Sequence, residues 1–382
     1  MSVVSSLPAR AVLAQPALRQ VVATAVEPVM ATYHVPGMAI GVIVGDRSFV
    51  FDFGVASQAT GRPVGASTLF EIGSISKVFT ATLAAWAVER GDLSLSDRVG
   101  KYLPDVRARP FGQVSLLDLA THTPGGLPQQ VPDDISDDKA LMRYYENWIP
   151  SYPAGTYRTY SNPGIGALGW VLAAREGLDF KTLMTRQLLP ALALNSTYLD
   201  VPADRELDYA QGYTKHDLPI RMSADVLWAE TYGIKTTAGD LLRFVRANMD
   251  ADDASRGLGR ALFATRTGYY TAGPMTQDLV WEQYASPVTL EALLKGNSGS
   301  MGADAHPVTA IAPPLPPLAA AWVNKTGSTN GFGAYVAFVP AERFGVVMLA
   351  NKNIPIEARV KAAHDIFTAV QHREGPGRVT IP

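Results

Sequence analysis

Between Ala17 and Tyr33 the apolar residues Leu18, Val21, Val22, Val26, Val29 and Met30 recur three and four apart, which predicts an amphipathic helix that stops before Val35-Pro36-Gly37. The period then changes. Met38 to Val44 and Ser48 to Phe53 are strand-like runs around Gly45-Asp46-Arg47, and together they predict a β-hairpin. A second hairpin is expected where Tyr335 to Pro340 and Phe344 to Ala350 flank Ala341-Glu342-Arg343, in the same sheet as the first. Val78 to Val88 is apolar nearly all round and ends at Arg90-Gly91, which reads as a buried helix with a glycine stop. From Ala84 to about Arg205 the pattern is mostly helical with Pro and Gly punctuation, and Ile354 to Val370 predicts a closing helix. Gly296 to Pro317, rich in Gly, Ala and Pro, reads as a long surface loop. The fold class that follows is α/β, an antiparallel sheet flanked by helices. Residues 17–84 and 206–382 would form the sheet domain and 85–205 a mostly helical insertion, with the site in the crevice between them.

With 382 residues, 47% of them hydrophobic, the chain can bury a substantial core in one large domain or two closely packed ones. Its charges are interspersed and sum to -2, so no footprint for nucleic acid or an anionic membrane is expected. The lack of cysteine excludes disulfides, thiolate metal sites and a cysteine nucleophile. No apolar run is long enough for a transmembrane helix. Residues 1–16 hold Arg10 and a short Ala11-Val12-Leu13-Ala14, too brief for a secretory core, so no intact export signal is expected there.

Three polar motifs stand in order along this background: Ser74-Ile75-Ser76-Lys77, Tyr160-Ser161-Asn162 and Lys325-Thr326-Gly327. They supply a hydroxyl nucleophile, two lysines, a phenol and an amide, the parts of an acyl-transfer site in which histidine is not the base. Ser74 opens the buried helix, where free backbone N–H groups and the macrodipole favour a developing negative charge. Lys77 lies one turn on, within reach of the Ser74 hydroxyl, and in so apolar a helix it should be paired or share a proton. Two nearby ammonium groups would favour the Tyr160 phenolate and let it accept the Ser74 proton. Asn162 offers a donor and an acceptor to a substrate amide. Lys325 to Ser328 follow the apolar Ala319 to Val323 and are expected on an edge strand whose free N–H, paired with that of Ser74, makes an oxyanion hole, with Gly327 allowing close approach.

Each motif alone is weak, because Ser136-Asp137-Asp138-Lys139 and Tyr145-Glu146-Asn147 match the same patterns. Ser136 lies in a solvated acidic run and reads as a helix N-cap. Gly164-Ile165-Gly166-Ala167-Leu168-Gly169 matches a dinucleotide fingerprint, but the preceding segment is polar and turn-like, so these glycines read as close helix packing. The six histidines lack metal-ligand spacing and no G-x-S-x-G elbow exists, which argues against a zinc hydrolase and a Ser-His-Asp esterase. No cofactor is expected.

Gly73 to Lys77, Tyr160 to Pro163, Lys325 to Gly333 and Leu349-Ala350-Asn351-Lys352 resemble the signature blocks of class C serine β-lactamases, with Tyr-x-Asn where class A enzymes carry Ser-Asp-Asn. The resemblance runs from about Val35 to the closing helix. It implies a serine β-lactamase or penicillin-binding-protein-like fold and a monomer acting on β-lactams through acylation of Ser74. Lys77 and Tyr160 would shuttle protons. Gln130 and Asn162 match positions that hold the acylamido side chain, and Lys325, Thr326 and Arg359 match those near the substrate carboxylate. Ser328 matches the second oxyanion donor and Tyr232 a cleft-wall tyrosine. A periplasmic location is implied by the family alone. Gln129, Ile356 and the 296–317 segment depart from its pattern and bear on which β-lactams are favoured. A D,D-peptidase or penicillin-binding protein, and a receptor that acylates once, use the same constellation; deacylation separates them.

Overall fold

The computed structural model describes residues 14–374, so the segment considered for an export signal lies mostly outside the described residues. The first hairpin forms as β1 (Gly37–Val44) and β2 (Arg47–Gly54). Seven more strands complete one sheet: β3 (Gly268–Ala272), β4 (Met275–Gln277), β5 (Glu282–Tyr284), β6 (Thr309–Leu315), β7 (Trp322–Ser328), β8 (Gly333–Val339) and β9 (Phe344–Ala350). Their order is β6-β3-β4-β5-β7-β8-β9-β1-β2, every pairing antiparallel, and the terminal hairpins join where Met38 pairs with Ala350 and Val44 with Phe344.

The central strands are apolar at consecutive positions because both faces are covered. In β8, Ala334, Val336 and Phe338 enter one core while Tyr335, Ala337 and Val339 enter another. The second core is closed by α1 (Gln15–Tyr33) and the last helix, Ile356–Glu374, which pack on each other. The first is closed by α2 (Ser76–Glu89) and Ala238–Asp250, stacked through Phe79 and Phe244 with ring centroids 4.1 Å apart. Among the described residues no helix is long and apolar enough to cross a membrane.

Beyond α2 the chain makes α3 (Leu116–Ala120), α4 (Asp138–Asn147), α5 (Asn162–Glu176) and, after further short helical segments at 180–191 and 203–208, α6 (Trp228–Thr231). A β-carbon on Gly166 would come within 2.5 Å of Leu227, and one on Gly169 within 2.4 Å of Glu230, so these glycines let α5 press on α6. Close packing is thus their role.

Three expectations need correction. Residues 296–317 are not one long loop: they hold a helical turn at Gly299–Ala303 and the strand β6, which tolerates Pro313 and Pro314 because it lies at the sheet edge. β7, which carries Lys325 to Ser328, is not an edge strand but is internal, between β5 and β8. Its β5 pairing spans only Trp322 to Asn324, so Lys325 to Ser328 are paired through β8 and lie past that register on the β5 side. Finally, Asp137, not Ser136, caps α4, its carboxylate accepting from Ala140 N–H at 2.7 Å; Ser136 is exposed.

Candidate active site

Ser74 sits in a 3-10 turn, Gly73–Ile75, that runs directly into α2. Gly73 has φ +51, and a β-carbon there would lie 2.5 Å from Ser328 N; one on Gly327 would lie 1.9 Å from the Ile72 carbonyl. Two glycines therefore bring the backbone before the serine against the end of β7, beside the Ser328 N–H. Glu71 ties this crossing together. Its buried carboxylate accepts from the Tyr209 hydroxyl and the Thr329 hydroxyl at 2.5 Å each and from Met222 N–H at 2.9 Å.

Lys77 is wholly buried, and its Nζ donates to Ser74 Oγ at 2.7 Å and to the Thr231 carbonyl at 3.0 Å. Burial lowers its pKa to about 8, against the opposing influence of Tyr160, and the Lys325 charge adds to the lowering. Tyr160 lies between the two amines, its ring centroid 5.2 Å from Lys77 Nζ and 4.9 Å from Lys325 Nζ. Burial alone would raise the phenol pKa, but the Lys325 and Lys77 charges outweigh it and hold the value at about 8. The phenol oxygen makes no hydrogen bond of full geometry, yet the nearby Ser74 hydroxyl also favours the phenolate.

A cavity of about 570 Å³ opens in front of this cluster, lined by Ser74, Gln130, Tyr160, Asn162, Tyr232 and Lys325 to Ser328. That volume suits a drug-sized ligand. Asn162 is the first residue of α5, and Ser161 caps the helix by accepting from Gly164 N–H at 3.0 Å. Asn162 Nδ2 donates to Gln130 Oε1 at 2.7 Å, while its own Oδ1 is buried without a partner in the protein. Gln129 holds the same place through its backbone, its carbonyl accepting from Asn162 N–H at 3.0 Å. Tyr232 follows α6, and burial, with Asp225 nearby, raises its pKa to about 12.

Arg359 is the one expected site residue that stands outside this cavity apart from the buried Lys77. It is 1% exposed behind β7, where Nη1 donates to the Gly327 and Ala334 carbonyls at 2.6 and 2.9 Å and Nη2 to Ser328 Oγ at 3.0 Å. Its visible work is to brace the strand. Ile356, by contrast, lines the cavity itself.

Four neighbours escaped the motif reading. Arg158 is buried and donates to Gln277 Oε1 at 2.6 Å, the Met301 carbonyl at 2.5 Å and Glu282 Oε1 at 2.9 Å, with its guanidinium 5.4 Å from the Tyr160 ring. The alternation of an extended segment relates 158 to 160 and was the available signal. Glu282 and Asp225 line the cavity without any sequence cue, and His122 packs on Tyr160 with ring centroids 4.4 Å apart.

A single sheet covered by helices on both faces, with a serine at a helix start, a buried lysine on its oxygen and a phenol between two amines, defines a serine hydrolase. The β-lactamase family model matches residues 22–371, and the chain belongs to that family. It is 49% identical over 343 residues to the β-lactamase of Lysobacter lactamgenus, covering 90% of this chain and 89% of that one. It is 46% identical to the β-lactamase of Pseudomonas fluorescens, covering 92% and 99%. Among solved structures it resembles a class C β-lactamase in complex with cefoxitin, at 45% identity and TM-score 0.90 over 93% of this chain and 99% of that one. It also resembles the D-alanine carboxypeptidase AmpC from Burkholderia cenocepacia, at 54% identity and TM-score 0.89 over 93% and 100%. The chain is a serine β-lactamase of class C, a hydrolase.

Proposed function

We propose that the chain opens β-lactam rings through a Ser74 acyl-enzyme that water then releases. The contact that carries the reading is the 2.7 Å hydrogen bond between Lys77 Nζ and Ser74 Oγ, whose serine lines the cavity. The Tyr160 phenolate, stabilised by Lys325 and Lys77, takes the Ser74 proton as Oγ bonds to the lactam carbonyl carbon. The Ser74 and Ser328 N–H groups receive the oxyanion, and collapse breaks the C–N bond as the ring nitrogen is protonated through Tyr160 and Lys77. In the second half Tyr160 takes a proton from water, which attacks the ester and frees Ser74.

Gln130 and Asn162 hold the acylamido group, their amides already aligned at 2.7 Å. Tyr232 walls the cleft, Lys325 and Thr326 attract the substrate carboxylate, and Gly327 leaves room for it. Arg359 acts on that carboxylate through the strand it braces. Residues 85–205 form the insertion that carries Gln130, Tyr160 and Asn162, against the remaining sheet domain. The protein works as a monomer in the periplasm and would protect its cell from β-lactams.

The test is multiple turnover of a chromogenic cephalosporin. Ser74→Ala should abolish it and Ser136→Ala should leave it at the wild-type rate; steady turnover by Ser74→Ala sinks the proposal. A single stoichiometric burst by the wild type would favour the receptor reading. The name carried by the Burkholderia cenocepacia protein also makes release of D-alanine from a D-alanyl-D-alanine peptide worth measuring beside it.

A further inference from the structure

α3 ends in a left-handed residue, His122, with φ 60. Thr123 N–H returns to the Asp118 carbonyl at 2.8 Å and His122 N–H to the Leu119 carbonyl at 3.3 Å. These are the paired bonds of a Schellman turn, whose left-handed position favours glycine, or else asparagine. A residue carrying a β-carbon is uncommon at such a backbone position, and one kept there beside a site points to a use for the side chain.

The use is visible in what His122 holds. Thr159 N–H donates to the His122 carbonyl at 2.8 Å and Ser161 N–H donates to His122 Nδ1 at 3.2 Å. The residues on both sides of Tyr160 are therefore fixed by one histidine, and its fully buried ring rests on the tyrosine ring at 40°. Because Nδ1 accepts, the neutral ring carries its proton on Nε2. Burial, then the charges of Arg158, Lys325 and Lys77, hold its pKa well below the usual histidine value, so the grip persists across neutral pH.

We propose that His122 is a positioning residue for β-lactam hydrolysis, its neutral ring and backbone carbonyl holding the Tyr160 phenol between Lys77 and Lys325. This rests on the reading of Tyr160 as the proton-transfer group. The groups that face Tyr160 are Lys77 from α2, Lys325 from β7, the Ser74 hydroxyl, Arg158 from the preceding extended segment and Glu282 from β5. Displacing the phenol from the two amines weakens their hold on the phenolate, so its pKa rises and the acid limb of kcat/KM moves to higher pH.

The experiment is the pH profile of kcat/KM for a chromogenic cephalosporin in His122→Gly and His122→Asn, with thermal melts, beside Tyr160→Phe. Glycine and asparagine both suit the left-handed turn, and asparagine can still offer an oxygen to Ser161 N–H. The glycine variant should fold, lose at least ~10-fold in kcat/KM at pH 7 and show its acid limb displaced upward by about half a unit or more, while asparagine recovers part of the loss. Wild-type kcat/KM with an unmoved limb in the glycine variant overturns the proposal. Should that variant not fold, the asparagine variant decides on the same reading: a displaced limb supports it and a wild-type limb overturns it. If Tyr160→Phe is inactive while the His122 variants are wild type, only the His122 proposal fails. If Tyr160→Phe keeps wild-type activity, the reading of Tyr160 falls and the His122 proposal with it.

Discussion

Lys77 and Tyr160 answer the same burial in opposite ways. Removal from water penalises the lysine cation and lowers its pKa to about 8, whereas the phenol, also buried, is brought to about 8 by the charges beside it. The two titrate together, so the measurable value belongs to the pair. Only the phenolate accepts a proton from Ser74, so kcat/KM should rise as pH increases through about 8. Lys325→Ala removes the largest charge favouring the phenolate and should shift that limb upward; a limb unchanged in this variant contradicts the assigned cause. Gly327→Ala should lower kcat by roughly 10²- to 10³-fold, because its β-carbon would meet the Ile72 carbonyl at 1.9 Å and displace the Ser328 N–H. Steady-state kinetics would show it. At this scale the clustering of Ser74, Lys77, Tyr160 and the Lys325-Thr326-Gly327 run was legible in the sequence, since each motif has a recognisable spacing. His122 was not, because its part depends on a left-handed turn and on contacts across 39 positions of chain.

Among the elements, α6 buries a carboxyl group. It is pressed between α2 and α5, and it carries Glu230, 8% exposed, whose carboxyl pKa burial raises to about 7 from 4.5. A carboxyl with a raised folded pKa contributes stability that is complete below its unfolded value and is lost as pH rises through about 7. Glu230→Gln should therefore be more stable than the wild type by roughly 1–3 kcal/mol at pH 8 and near parity at pH 4. Denaturant titrations at the two values check this, and identical pH dependence in both proteins would rule it out. Gly169→Ala should cost roughly 1–3 kcal/mol by forcing α5 off Glu230, read as a lower midpoint in the same titrations.

The terminal hairpins were legible because β1, β8 and β9 are buried along their whole length and read as unbroken apolar runs, while β2 alternates buried Phe49, Phe51 and Phe53 with more exposed neighbours. The strands β3, β4 and β5 were not. Gln277, Glu282 and Gln283 are almost fully buried in them, hydrogen-bonded to Arg158, Asn324 and Asp278, and such buried polar positions break the pattern that marks a strand. β6 was hidden by its prolines, which an edge strand accepts.

The molecule as a whole joins segments far apart in sequence into one cavity: Ser74 before α2, Gln130 in a loop, Tyr160 and Asn162 at α5, and Lys325 to Ser328 on β7. Sequence spacing foretold that these motifs belong together, but not that Arg359 would lie behind the strand or that Met301 would line the cavity with its carbonyl on Arg158. The central claim is a covalent bond at Ser74 that water later cleaves. Mass spectrometry of the intact protein, quenched in acid within seconds of mixing with a slowly released cephalosporin, tests it directly. The wild type should gain the mass of one acyl group, located to the peptide containing Ser74, and return to its original mass as substrate is exhausted. A protein that hydrolyses the drug while no acylated form accumulates at any time, or one acylated at a peptide lacking Ser74, would contradict the account.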